Sequence, residues 1–224
     1  MRKIAIFVPI LLLAVLVLVG AGCGEKEAEE GVVPLGEQEE EEEVESLTEI
    51  LGKAVGISSL KYDMVVTPPG ETAVITTMWR KGEKMRMEGT FEGQSMVYLV
   101  DAGEQLAYIY LPAENTAMKI SLGKAQESAG DSPTEQSEFI TKYNPVTVGT
   151  EVLDGKTCLV IEYTTETEET KSWVWVRYGL LVRIESTTDE GILVAELKNI
   201  DFSAIADSMF ELPAGVQMLE IPTF

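Results

Sequence analysis

From Trp79 to Glu88 the chain reads Trp79-Arg80-Lys81-Gly82-Glu83-Lys84-Met85-Arg86-Met87-Glu88, and past the Gly82-Glu83 turn its period is two. Met85 and Met87 fall on one side, Lys84, Arg86 and Glu88 on the other, as in a strand with one wet face and one apolar face. The same alternation runs in both directions along the chain. Met118, Ile120 and Leu122 oppose Ala117, Lys119 and Ser121, and Val182 and Ile184 oppose Arg183 and Glu185. Three runs are apolar on both sides and are expected to be covered on both. They are Met96, Tyr98 and Val100 against Val97 and Leu99; Leu106, Tyr108 and Tyr110 against Ile109 and Leu111; and Trp173 and Trp175 against Val174 and Val176.

Turn signals separate these runs about every ten residues, the spacing of an antiparallel meander. They are Pro68-Pro69-Gly70, Lys81-Gly82-Glu83, Glu92-Gly93, Asp101-Ala102-Gly103, Pro112-Ala113-Glu114-Asn115, Asp154-Gly155, Tyr178-Gly179 and Asp189-Glu190-Gly191. Asp154-Gly155 is the strongest, because both central residues of a type I′ turn need positive φ. Upstream, Ser46-Leu47-Thr48-Glu49 is a capping box that opens a helix with one apolar stripe, Leu47, Ile50, Leu51, Ala54 and Val55. Gly56 is its expected stop. Ser132 and Pro133 open a second short helix, about Pro133 to Lys142. The expectation is a mainly β (α+β) domain: an incomplete antiparallel β-barrel, or strongly curved sheet, of roughly ten or eleven strands, with helices covering the concave face.

The N-terminus is of another kind. Arg2 and Lys3 precede the apolar run from Ile4 to Val19, and Gly20-Ala21-Gly22-Cys23 follows. That is the architecture of a secretory signal, and the Cys after small residues resembles the lipobox of a bacterial lipoprotein. The resemblance implies that Cys23 becomes the first mature residue and carries fatty acyl groups such as palmitate. Gly20 stands where a typical lipobox has Leu, and an uncleaved N-terminal anchor is the other reading. Both place the remainder outside the cytoplasm, because the cations hold the N-terminus inside. The chain divides as 1–22 signal, 23–45 lipidated Cys and acidic tether, and 46–224 folded domain. The tether holds 11 glutamates between Glu25 and Glu45 against Lys26 alone. Such a segment cannot bury enough apolar surface to order itself, and self-repulsion extends it.

Composition excludes several functions. The formal charge is −21, which argues against nucleic acid as a partner. The absence of His removes the commonest general base and neutral metal ligand. With Cys23 lipidated, Cys158 has no partner for a disulfide; in the strand-like run Thr157 to Ile161 it reads as a small buried residue. There is no Gly-x-Ser-x-Gly, no metal-ligand spacing and no Gly-rich phosphate loop. Asp63, Asp101 and Glu162 are scattered over turns and wet faces. The expectation is a protein that is not an enzyme and takes neither cofactor nor metal.

Six phrases in order resemble the LolA/LolB-like family of periplasmic lipoprotein carriers and related lipid-binding lipoproteins. These are the helix Leu47 to Leu51 with the strand Leu60 to Asp63; Trp79 to Glu88; Val100 to Pro112; Leu153 to Cys158; Trp173 to Val176 leading into Leu180 to Glu185; and the closing Met209-Phe210-Glu211-Leu212-Pro213. The resemblance covers about Leu47 to Pro213. It implies a concave face that holds acyl chains under a helical lid. The expected lining is Met64, Val66, Met85, Met87, Met96, Tyr98, Tyr108, Met118 and Trp173, with Leu47, Ile50, Leu51 and Val55 as the lid stripe. Methionine suits this because it re-packs around varied apolar partners. A tethered protein cannot shuttle between membranes, so the anchored members are the better analogues. The functional expectation is a membrane-anchored extracytoplasmic lipoprotein that binds an acyl chain or lipidated ligand. The alternative is a sensor or interaction module of the same fold that binds a membrane-protein partner.

Overall fold

A computed structural model of the chain describes residues 45–122, 140–166 and 168–219. The expected signal, the Cys23 lipidation site, the tether and most of the second short helix lie outside these residues. Glu43–Phe224 forms one compact unit. It holds every described strand and both buried clusters, the core a domain needs to fold alone.

The unit opens with helix α1 (Leu47–Gly52) and a 3-10 turn, Lys53–Gly56. Strands follow: β1 (Ser59–Thr67), β2 (Val74–Lys81), β3 (Lys84–Phe91), β4 (Gln94–Asp101), β5 (Leu106–Leu111), β6 (Thr116–Ser121), β7 (Val146–Leu153), β8 (Lys156–Thr164), β9 (Glu169–Trp175), β10 (Leu180–Thr188), β11 (Gly191–Asp201) and β12 (Gln217–Leu219). They form one sheet in the order β12-β6-β5-β4-β3-β2-β1-β11-β10-β9-β8-β7. The sheet is curved and does not close into a barrel, and it has twelve strands where ten or eleven were expected. The unexpected strand is β12, which pairs with β6 in the one parallel ladder among the described residues.

Local chemistry explains the elements. The capping box forms as the sequence requires: the Ser46 hydroxyl accepts from the Glu49 N–H, and the Glu49 carboxylate accepts from the Ser46 N–H at 2.8 Å. Asp154 and Gly155 take φ of 51° and 74°, the two positive values of a type I′ hairpin. Bulges occur in the pairings of β1 with β11, β9 with β10, and β7 with β8, and such bulges bend strands and sharpen twist.

Strands β8 to β10 carry apolar clusters on both faces. Cys158, Val160, Trp173, Leu180 and Val182 join Leu60, Tyr62, Met78 and Ala54 in one cluster. Leu159, Ile161, Tyr163, Val174 and Leu181 form the other, with Ile50 and Leu51 of α1 and Ile140. Residues 140–142 are helical, so the second helix is present where its end is described. α1 is seated on the β9–β10 turn, and the Lys53 ammonium donates to the Val176 carbonyl at 2.9 Å.

After β11 the chain crosses the sheet as a strap held by successive strands. Ser59 donates to the Ser203 carbonyl at 3.1 Å, Lys81 to that of Ile205 at 3.0 Å, and Arg86 to that of Met209 at 2.8 Å. Asn115 then donates to the Gly215 carbonyl at 2.9 Å, just before β12. Lys81 and Arg86 project from the face opposite Met78 and Met87, so the strap lies on that face.

Candidate functional site

Register brings the methionines together. Directly opposed residues of neighbouring strands share a face. Tyr62, Met78, Met87, Tyr98, Ile109 and Met118 are opposed one to the next from β1 to β6. A second row is Leu60, Arg80, Met85, Val100, Ala107 and Ile120, and a third contains Met64, Thr76, Gly89 and Met96. In the third row the Phe91 ring lies over Gly89, where a Cβ would be 3.0 Å from its edge. Six strands at ~4.8 Å spacing make the first row about 24 Å long. One acyl chain spans about 15 Å, half the hydrocarbon core of a bilayer.

The first row is buried at one end and partly exposed at the other. Tyr62 and Met78 are 7% exposed, whereas Met87, Tyr98, Ile109 and Met118 are half-buried. Of the expected lining, Met64, Val66, Met85, Met87, Met96, Tyr98 and Met118 share this face by register. Trp173 belongs to the buried cluster against which Met64, Met85 and Met87 pack. Tyr108 does not join them; it is opposed to Leu99 and Lys119 on the other face. Ile109 stands in the row instead, and Tyr62 and Met78 extend it.

The expected lid stripe divides. Ile50 and Leu51 are buried and Leu47 packs beside them, all on the second cluster of β8 to β10. Val55 is 61% exposed, and Ala54, also on the expected stripe, is buried in the first cluster instead. The helix tightens to 3-10 geometry at Lys53, which rotates the following residues off the α-helical stripe.

The two faces of β1 to β6 differ in charge. On the strap side Lys61 and Arg86 approach the Trp79 ring at 5.5 and 5.9 Å, Arg86 pairs with Glu88, and Lys84 pairs with Asp101 at 3.6 Å. Asp63 accepts from Thr77 at 2.8 Å and Asn199 at 2.6 Å, and these bonds, that of Asn199 first, hold its pKa below the usual aspartate value. On the methionine side Arg80 is the one charged residue among those described.

A separate cleft of about 790 Å³ opens over the far ends of β7 to β11, lined by Tyr143, Val146, Glu162, Glu169, Lys171 and Glu185 among others. None of the nine expected lining residues is in it. With three carboxylates and one ammonium it suits an acyl chain poorly, since uncovered charge is costly beside hydrocarbon. The methionine rows are the better apolar surface. Among the described residues no group of three or more His, Cys, Asp or Glu is placed to hold a metal, and no helix is long and apolar enough to cross a membrane.

No family model and no curated protein matches this chain. Solved structures do share its architecture. An uncharacterized conserved protein from Thermus thermophilus aligns over 79% of this chain and 100% of its own, at 10% identity and a TM-score of 0.56. MucB in the MucA/MucB complex of Pseudomonas aeruginosa aligns over 78% of this chain and 64% of its own, at 14% identity and a TM-score of 0.52. MucB in complex with MucA(peri) gives 79%, 63%, 14% and 0.50. The class defined is that of open, curved antiparallel sheets shared with these proteins. At such identities the likeness is one of fold alone, and this chain spans under two thirds of MucB.

Proposed function

We propose that this chain is a membrane-anchored extracytoplasmic lipoprotein whose domain binds an acyl chain or lipidated ligand along the methionine rows, without catalysis. The observation that carries this reading is the unbroken row from Tyr62 to Met118, apolar, buried at β1–β2 and half-buried at β3–β6. Burial of each CH₂ there contributes roughly 0.8 kcal/mol, and methionine adapts to chains of different length. The lipobox-like Cys23 and the acidic stretch after it support a tethered receiver or donor rather than a free carrier.

The test uses Glu43–Phe224, which lacks Cys23 and so carries no covalent lipid. Lipid co-purifying with this unit, identified by mass spectrometry, and binding of a fluorescent fatty acid are the expected results. An unliganded native mass spectrum together with no probe binding would reject the reading. A second reading, a module that binds a membrane-protein partner, draws on the fold shared with MucB, which has been solved in complex with MucA. It predicts capture of a protein partner from membranes that is indifferent to removal of lipid.

A further inference from the structure

Arg80 is out of keeping with its surroundings. It is opposed to Leu60 on β1 and Met85 on β3 and shares its face with Met78, two residues away on β2. Its own neighbour Lys81 projects to the strap side, where Ile205 and Asp207 engage it. The other internal arginines of the sheet are paired: Arg86 with Glu88, and Arg183 with Glu185 and Glu196. Among the described residues no carboxylate lies within ion-pair distance of Arg80. Arg80, a half-buried residue, thus stands at the end of an apolar sheet face, near the β2–β3 turn, with its charge unmatched among the described residues.

We infer that Arg80 receives the acidic head of a single-chain amphiphile, a carboxylate or phosphate, and so makes that face selective for anionic lipids. The inference rests on the acyl-binding reading and names its ligand class. Guanidinium presents a rigid fork of donors that matches either oxyanion bidentately. Its position fixes the ligand's direction: head at the β2–β3 end, tail along the methionine rows. An ion pair formed against an apolar wall is less screened than one in open water.

The test measures equilibrium dialysis of Glu43–Phe224 with radiolabelled palmitate, palmityl phosphate and palmityl alcohol. The two acids are expected to bind about ten-fold tighter than the alcohol, the scale of one charge-assisted contact. Arg80→Gln should abolish that preference by bringing both acids down to the level of the alcohol; Arg80→Lys should keep part of it. A preference for one acid over the other identifies carboxylate or phosphate as the head. Equal binding of acids and alcohol by the wild type overturns the inference while leaving acyl binding standing, and so does an Arg80→Gln variant that weakens all three alike. If none of the three binds, the acyl-binding reading fails and the inference fails with it.

Discussion

Gly179 lies so close to Ile50 that a Cβ on the glycine would sit 2.1 Å from the Ile50 carbonyl oxygen. The contact seats α1 on the β9–β10 turn, and the glycine's φ of +68° already disfavours any side chain. Gly179→Ala should therefore destabilise the domain by about 3 kcal/mol, combining backbone strain with displacement of the helix. Gly82→Ala is the control. Its φ of +56° is similar but nothing lies within 4 Å, so only about 1 kcal/mol is expected. Urea midpoints of the two variants separate the effects, and equal losses would show that the helix contact contributes nothing.

The methionine row should separate stability from binding. Met78 is buried in the cluster with Tyr62 and Trp173, and Met78→Ala should cost about 2–4 kcal/mol. Met118 is half-buried at the partly exposed end. Met118→Glu should cost about 1 kcal/mol and reduce fatty-acid binding by about ten-fold or more, because an ionised group then lies beside the tail. Thermal melts and probe titrations on the same samples check both halves.

Stability should be flat between about pH 6 and 8 and fall on the acid side. The chain has no His to titrate in that window. Asp63 is held below its ordinary value by hydrogen bonds from Asn199 and Thr77, Glu151 by the Trp173 indole N–H and Lys171, and Asp154 by Lys198. A carboxyl group lowered in the folded state binds its proton less tightly there than in the unfolded chain. Its stabilisation is complete above the ordinary aspartate or glutamate value and is lost as pH falls through the lowered one. Urea midpoints from pH 8 to pH 2 should decline below about pH 5, and Asp63→Asn should flatten part of that decline. A slope centred near neutrality would contradict this account.

Cys158 should report unfolding. Its side chain is fully buried, and burial pushes its thiol pKa up, so little thiolate forms and none is accessible. An aromatic disulfide reagent should leave the native thiol unmodified and label it in urea at the midpoint seen by circular dichroism. Rapid labelling of the native domain would show local opening between β8 and β9.

What the sequence made legible follows from where the signal lay. Every expected turn from Pro68 to Gly191 joins two strands, because each carries residues with a steric reason to reverse the chain. The capping box placed the start of α1 to the residue. Faces were readable where one side of a strand was wet, as at Met85 and Met87. In β5 both sides are apolar, so alternation holds no information about which one faces the row, and Tyr108 and Ile109 were indistinguishable until register was known. Val55 failed for a different reason: the stripe assumed α-helical spacing beyond the point where the helix tightens. β12 was invisible because three exposed residues carry no periodicity, and they are positioned by Asn115, far away in the chain.

The sheet order also dictates when this protein can finish folding. β1 to β6 and β7 to β11 are two runs of strands, each assembled from neighbours in the chain, and the seam between them is the pairing of β1 with β11. The strap then returns across the first run to place β12 on β6. Nascent chains can lay down either run early, since hairpins close short loops, but the seam must wait until β11 has been made. Until Gly191 to Asp201 is available, β1 offers an unpaired edge to any other strand within reach. A chain cut short before β11 would present that edge permanently, and aggregation through β1 is the outcome expected of such truncations.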